Sequence, residues 1–310
     1  MNIISTVKLK DEMIEHLPEQ ATYKFSKMKE LTIEDKEQAE ILITYGSDIT
    51  TDVSGDFSNV KWLHVMSAGV DEIPQALFDQ ALVTNSSGIH KIPMTEFAIG
   101  LMLQYYKHFP TLKEAEKNSE WITYSKSEEL YGKEAHILGT GNIGSHLAKA
   151  LQIFGVETHG YNTNGRPIDG FDKTHKIDDL NEVVTTADIL VNILPSTEKT
   201  TGLLKADTFK AMKDEGIFVN IGRGTVMTDE TLTEVLEGQY IAHVLSDVFN
   251  EEPLPEGSPF YDYDNLTITP HCSAKTDMYL YRAFDIFLEN LERYMKDDTL
   301  VNIVEFEKGY

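Results

Sequence analysis

One cysteine, Cys272, in 310 residues excludes any disulfide within the chain, so the disulfide-stapled secreted classes drop out and a reducing compartment fits. Long apolar runs are missing as well. No stretch reaches the ~18 residues a membrane-spanning helix needs, and residues 1–20 carry charges throughout, with no apolar core of signal-peptide length. The cytoplasm is the expected location. Basic residues are scarce: 27 Lys and Arg face 51 Asp and Glu, for a net charge of −24. Such a surface repels nucleic-acid phosphates and anionic lipid, so neither a nucleic acid nor a membrane is an expected partner. It also repels anionic small molecules, so any site for a carboxylate or phosphate must be locally positive. No spacing of His, Cys and carboxylates requires zinc, and no metal site is expected. There is no internal repeat and no low-complexity tract.

What is present is ordinary globular material, 41% hydrophobic and 25% charged, enough for two domains. Short β-rich runs alternate with helical patterns. Strands are expected at 41–45, 62–66, 82–84, 135–138, 156–161, 189–193, 217–221, 243–248 and 266–269. Several are continuously apolar, as strands covered on both faces are. Alternation of strand and helix points to an α/β class of two doubly wound parallel-sheet domains. Long helices are expected at 93–109 and 277–296. In the first, Pro93 suits the first turn and Pro110 is expected to end the pattern. Being apolar around most of its circumference, that helix is expected between domains or subunits.

Gly139-Thr140-Gly141-Asn142-Ile143-Gly144 follows an apolar strand and opens a helix. Gly139 permits the tight turn, Gly141 lets the backbone approach a pyrophosphate, and Gly144 lets helix and strand pack. Free N–H groups at the helix start then favour an anion. In such folds the next strand ends in an acid that grips the adenosine ribose. Here that position is Asn162, followed by Thr163, Asn164, Gly165 and Arg166. Without the acid, and with an Arg nearby, a 2′-phosphate is tolerated, so NADP is slightly favoured over NAD. The plainer reading is a turn made by Asn162 and Asn164 beside a solvated Arg.

Three later segments each lie at or past the end of an expected strand: Val219-Asn-Ile-Gly-Arg223-Gly, Asp247-Val-Phe-Asn-Glu-Glu252-Pro-Leu-Pro, and Thr269-Pro-His271. Taken alone, Arg223 is as readily a structural ion-pair partner, Glu252 a solvated loop acid, His271 a hydrogen-bonded loop histidine and Asp247 a turn cap. Taken together they supply the groups that reduction of a 2-keto acid needs. His271 can give a proton to the keto oxygen, Glu252 can fix the ring, and Arg223 between two glycines can offer a planar fork to a carboxylate. Cys272 beside His271 points the other way in an extended strand, so mutual activation is not expected. His64, His90 and Glu96 pair into no site, and Met94, Met102, Tyr105, Tyr106 and Phe109 read as packing.

With these motifs in this order, and with the Ser67-Ala68-Gly69-Val-Asp71 loop and Leu194-Pro195-Ser-Thr-Glu-Lys-Thr200-Thr, the sequence resembles the D-2-hydroxyacid dehydrogenase family. That family includes phosphoglycerate dehydrogenases, glyoxylate/hydroxypyruvate reductases and D-lactate dehydrogenases. The resemblance implies flavodoxin- and Rossmann-like domains around a cleft, with a dinucleotide domain at 99–279 and a substrate domain at 1–98 plus a returning 280–310. It implies catalytic Arg223, Glu252 and His271, Asp247 on the nicotinamide amide, Ala68 and Gly69 on the substrate carboxylate, and a homodimer. The expected function is an NAD(P)H-dependent reductase of a small 2-keto acid. Two alternatives stand beside it: a dinucleotide-sensing, corepressor-like protein on the same fold, and a phosphoglycerate-type dehydrogenase.

Overall fold

Alternating residues of a strand point to opposite faces, so a strand that is apolar at every position feeds two cores at once. The computed structural model, which describes residues 1–47, 49, 57–70, 73–123 and 127–306, shows this in both of its units. The first unit is Met1–Ile89 with Thr276–Tyr310. Its strands are β1 (Asn2–Ser5), β2 (Thr22–Phe25), β3 (Ile41–Thr44), β4 (Trp62–Val65) and β5 (Leu82–Asn85). They form a parallel sheet in the order β2-β1-β3-β4-β5, the flavodoxin-like order. Leu42 and Leu63 enter one core, whereas Ile41, Ile43 and Trp62 enter the other. The helix Tyr279–Met295 buries Ala283, Phe284, Phe287 and Leu291, the stripe expected at a 3.6-residue period. Phe287 stacks on Trp62 with ring centroids 5.1 Å apart. The chain then returns to β5, where the Val304 N–H donates to Val83 O at 2.9 Å.

The second unit is His90–Lys275. Its strands are β6 (Glu134–Leu138), β7 (Glu157–Asn162), β8 (Lys173–Lys176), β9 (Ile189–Asn192), β10 (Ile217–Asn220), β11 (His243–Ser246) and β12 (Leu266–Ile268). All pair in parallel, in the order β12-β11-β10-β9-β6-β7-β8. That is the Rossmann order with one further strand, and the chain reverses direction between β6 and β9. Leu190, Phe218 and Val244 fill one core and Val191, Val219 and Leu245 the other, so both faces are covered.

Register aligns Tyr161, Leu138, Asn192, Asn220, Ser246 and Ile268 in one row across the sheet. Every loop that leaves β6, β7, β9, β10, β11 or β12 therefore starts from a single edge.

One expectation needs correction. The helix expected at 93–109 runs from Lys91 to Tyr106. His108 breaks it in the left-handed region at φ +53°, and a second helix, Phe109–Lys117, carries Pro110 in its first turn. A proline there loses no hydrogen bond, because first-turn N–H groups have no helical partner. Pro110 thus begins a helix rather than ending one. The first helix packs Met94, Ala98, Leu101, Met102 and Tyr106 into a core of its own unit, with Leu147 and Leu151 of the helix Asn142–Ile153.

Candidate active site

The glycine turn leaves β6 at the reversal point. Gly139 takes φ +108°, a conformation that costs glycine nothing, and its N–H donates to Tyr161 O at 3.1 Å. A Cβ on Gly144 would lie 2.0 Å from Gly139 O, so the helix presses directly on the turn, whereas a Cβ on Gly141 would meet nothing within 4 Å. The open side of the turn is therefore at Gly141. That residue caps the helix Asn142–Ile153 without any side-chain hydrogen bond, which leaves the first N–H groups to an incoming anion. Asn142 and Thr140 flank this opening and Ile143 is partly buried beneath it. Across the reversal, Leu194 Cδ2 would lie 3.5 Å from a Cβ on Gly139, and Pro195 follows it, exposed. A pyrophosphate fits this opening on steric and electrostatic grounds.

Past β7, the Asn162 side chain turns inward. Its amide donates to Arg166 O at 2.9 Å and its carbonyl accepts from the Asn164 N–H at 3.2 Å. Thr163 and the Arg166 side chain are exposed. The stretch is a closed turn that sends Arg166 outward. Register adds Lys176, paired with Asn162, whose Cγ would lie 3.0 Å from a Cβ on Gly165. Among the described residues no carboxylate lies within ion-pair distance of Arg166 or Lys176. Sequence reading missed Lys176 because Lys173-Thr-His-Lys176 has no apolar pattern.

Past β10, Arg223 is held by its neighbours. A Cβ on Gly222 would lie 2.7 Å from Asn192 Nδ2 and 2.8 Å from Leu194 O, and one on Gly224 would lie 2.1 Å from the Phe249 carbonyl carbon. The Gly-Arg-Gly segment is wedged between the loops that leave β9 and β11. Arg223 Nη1 donates to Gly222 O at 2.8 Å, the side chain is exposed, and no carboxylate among the described residues pairs with it. In a chain of net charge −24, an unpaired guanidinium is conspicuous. His90 also faces it: burial first, and then the Arg223 charge, push the His90 imidazole below its ordinary range.

Under this edge is a polar layer that sequence reading did not single out. Asn192 Nδ2 donates to Asn220 Oδ1 at 2.9 Å, and the same oxygen accepts from the Gly222 N–H at 3.3 Å. Asn192 Oδ1 accepts from the Leu194 N–H at 3.1 Å. Both amides are buried, so they set the two loops rather than meet a ligand. A terminal Asn on each of two otherwise apolar strands was the available signal.

Past β11 and β12, Asp247 is 1% exposed and organises the last loop. Its Oδ1 accepts from Thr269 Oγ1 at 2.6 Å and the Cys272 N–H at 2.9 Å, and its Oδ2 from the Ser273 N–H at 2.8 Å. Burial would raise this carboxyl, but these donors outweigh it and hold it below the usual range. The loop it fixes puts His271 at φ +47°. There His271 Nδ1 meets Glu252 Oε2 at 2.6 Å, while Glu252 Oε1 accepts from the Phe249 N–H at 2.9 Å. No described group hydrogen-bonds His271 Nε2. The imidazole and carboxylate line a cavity of about 430 Å³ whose walls include Phe249, Leu254, Tyr261 and Ile268. Burial, then Asp247, raises the Cys272 thiol, which keeps it protonated and speaks against a nucleophile.

Ala68 and Gly69 belong to the first unit, in the loop after β4. Asn85 Nδ2 donates to Ala68 O at 2.6 Å and Ser67 Oγ to Gly69 O at 2.8 Å. Asp71 of the same loop lies outside the described residues. His64, in β4, is fully buried against Thr84 and Ser86, and its pKa is driven by burial to about 3.

The family model described as D-isomer specific 2-hydroxyacid dehydrogenase, NAD binding domain, matches residues 99–273. The chain belongs to this dehydrogenase family. It is an NAD(P)-dependent oxidoreductase of the 2-hydroxyacid class. It is 28% identical over 267 residues to glyoxylate/hydroxypyruvate reductase A of Photorhabdus laumondii subsp. laumondii, covering 82% of each. It is 29% identical over 281 residues to D-3-phosphoglycerate dehydrogenase of Methanocaldococcus jannaschii, covering 89% of this chain but 53% of that one. A crystal structure of a D-isomer specific 2-hydroxyacid dehydrogenase family protein from Aeromonas salmonicida subsp. salmonicida A449 superposes with a TM-score of 0.80 at 28% identity, over 98% of both chains. No described helix of this dehydrogenase is long and apolar enough to cross a membrane.

Proposed function

We propose that this dehydrogenase reduces a small 2-keto acid to the D-2-hydroxy acid, with NADPH preferred over NADH. The observation that carries the reading is the Glu252–His271 pair, joined at 2.6 Å through Nδ1. It lies on the same sheet edge as the glycine turn and Arg223, which has no carboxylate partner among the described residues.

A nicotinamide ring, when bound, supplies the hydride. Everything else falls to the chain. Arg223 offers two parallel N–H groups to the substrate carboxylate, a geometry suited to a planar anion. His271 gives its Nε2 proton to the keto oxygen as negative charge develops there. Glu252 accepts from Nδ1–H, which fixes the tautomer and aims Nε2. Asp247 acts through the loop as a positioning residue, and its partly committed carboxylate retains lone pairs for the nicotinamide amide. Gly139 to Gly144, with Leu194 and Pro195, hold the dinucleotide. The retained Arg-Glu-His set favours turnover over a purely sensing role. The relative covered over 82% of its length, a glyoxylate/hydroxypyruvate reductase, favours a reductase over a phosphoglycerate-type enzyme. The test is to mix the protein with NADPH or NADH and a panel of 2-keto acids including glyoxylate and hydroxypyruvate, and to follow loss of reduced nicotinamide. Consumption with at least one acid is expected. Tight dinucleotide binding without any turnover removes the reductase reading in favour of a sensor.

The NADPH preference rests on Arg166 and Lys176, two cations without a carboxylate partner among the described residues, beside the turn that carries no ribose-gripping acid. A charge-assisted hydrogen bond contributes about 1.5–3 kcal/mol, less where water competes, so Arg166→Ala is expected to weaken NADPH binding by about tenfold and to leave NADH nearly unchanged. Equal changes for both cofactors would show that Arg166 does not read the phosphate. A homodimer belongs to the same proposal, because Phe109, Leu112, Trp121 and Ile122 expose apolar side chains, Trp121 at 98%. Light scattering that returns the mass of one chain at assay concentration would remove it.

A further inference from the structure

Glu134-Ala-His136 and Glu157-Thr-His159 open β6 and β7 with the same Glu-x-His spacing. Residues two apart on a strand share a face. Register places Glu134 opposite Glu157 and His136 opposite His159, so two carboxylates and two imidazoles form a square array on one face of the second sheet. His136 and His159 are 0% and 4% exposed, with rings stacked at a centroid distance of 4.4 Å. Glu134 Oε2 lies 3.9 Å from His136 Nε2 and 3.7 Å from His159 Nε2, and Glu157 Oε1 lies 3.1 Å from His159 Nε2. One atom from each of Glu134, His136 and His159 falls within a 4.8 Å cluster. A tetrahedral ion with bonds of about 2.1 Å holds its ligand atoms about 3.4 Å apart, so the two carboxylate–imidazole separations of 3.9 and 3.7 Å need to contract by only a few tenths of an ångström.

The surroundings supply a second and independent observation. Metal-bound histidines have the far ring nitrogen fixed by an acceptor, which orients the ligating one. Here His136 Nδ1 meets Tyr161 Oη at 2.7 Å and His159 Nδ1 meets His175 Nε2 at 3.2 Å, which leaves both Nε2 atoms on the carboxylate side. Thr186 Oγ1 donates to Glu134 Oε2 at 2.6 Å, fixing the carboxylate as well. We propose that Glu134, His136 and His159 form a binding site for a borderline-soft divalent transition metal such as Zn²⁺, with water completing the coordination, because Glu157 Oε1 is held by Lys173 at 2.6 Å. Two imidazoles disfavour Mg²⁺ and Ca²⁺, which select oxygen. His136 precedes Gly139 by three residues, about 10 Å along the strand. The ion therefore ties β6 to β7 behind the glycine turn and takes no part in hydride transfer.

The test is calorimetric titration of the chelator-stripped full-length protein with Zn²⁺, together with thermal unfolding and the visible spectrum of the Co²⁺ form. One ion per chain, a raised Tm and a tetrahedral Co²⁺ spectrum are expected. Tyr161→Phe keeps the packing but removes the acceptor for His136, and is expected to weaken binding about 10–100-fold. Glu134→Gln, at a partly exposed position that should fold normally, and His159→Gln are each expected to weaken it further. No saturable binding in the wild type, or Zn²⁺ binding that persists unchanged in Glu134→Gln, would overturn the site.

Discussion

His271→Ala is expected to lower kcat/KM for 2-keto acid reduction by about 10²–10⁴-fold, the range that a positioned general acid contributes. In free energy this is about 2.7–5.5 kcal/mol of transition-state stabilisation. The loss should appear in kcat, because the proton is needed as charge develops on the keto oxygen and not for dinucleotide binding. NADPH affinity should stay close to wild type. The ring is more than a contact in a loop: Glu252 Oε2 holds Nδ1 at 2.6 Å, and the loop itself is pinned by Asp247 through Thr269, Cys272 and Ser273. Steady-state kinetics with direct measurement of cofactor binding separates the two possibilities. A large fall in cofactor affinity with kcat preserved would show that His271 shapes the fold of the edge and is not the proton donor.

Arg223→Ala is expected to cost about 10²-fold or more in kcat/KM. Two charge-assisted hydrogen bonds to a carboxylate, each contributing about 1.5–3 kcal/mol, are lost together. Arg223→Lys keeps the charge but not the fork, so it should recover only part of the loss. Stability is expected to change little, because the guanidinium is exposed, makes its hydrogen bond to Gly222 O and pairs with no described carboxylate. Equal kcat/KM for wild type and Arg223→Ala would remove the carboxylate-binding role.

The parts of the fold legible in the sequence were those where one residue type dominates a strand. Ile-Leu-Ile-Thr of β3, Ile-Leu-Val-Asn of β9 and Ile-Phe-Val-Asn of β10 are buried at every position, and such runs admit few other readings. The edge strand β8, Lys-Thr-His-Lys, is half solvated and carries no apolar signal. β1 and β2 were missed as well, because β1 sets only Ile3 and Ile4 between two polar residues and β2, Thr-Tyr-Lys-Phe, is largely exposed. The helix break at His108 depends on one left-handed residue, which composition does not mark.

The candidate site divides along the same line. Gly222 and Gly224 signalled close approach, but what approaches them, the loops after β9 and β11, comes only from strand order. The Glu-x-His pairs of β6 and β7 mean little 23 residues apart; register alone makes them neighbours. Lys176 likewise gains meaning only opposite Asn162.

The proposed reduction requires one imidazole and one guanidinium to act on the same small molecule. A crystal structure of the protein with NADPH and oxamate, a 2-keto acid isostere that accepts no hydride, measures this directly. His271 Nε2 is expected about 2.6–3.2 Å from the oxygen that stands for the keto group, with the Arg223 guanidinium paired to the carboxylate. Oxamate bound away from either residue, with Nε2 facing solvent or Arg223 paired to a protein carboxylate, would contradict it.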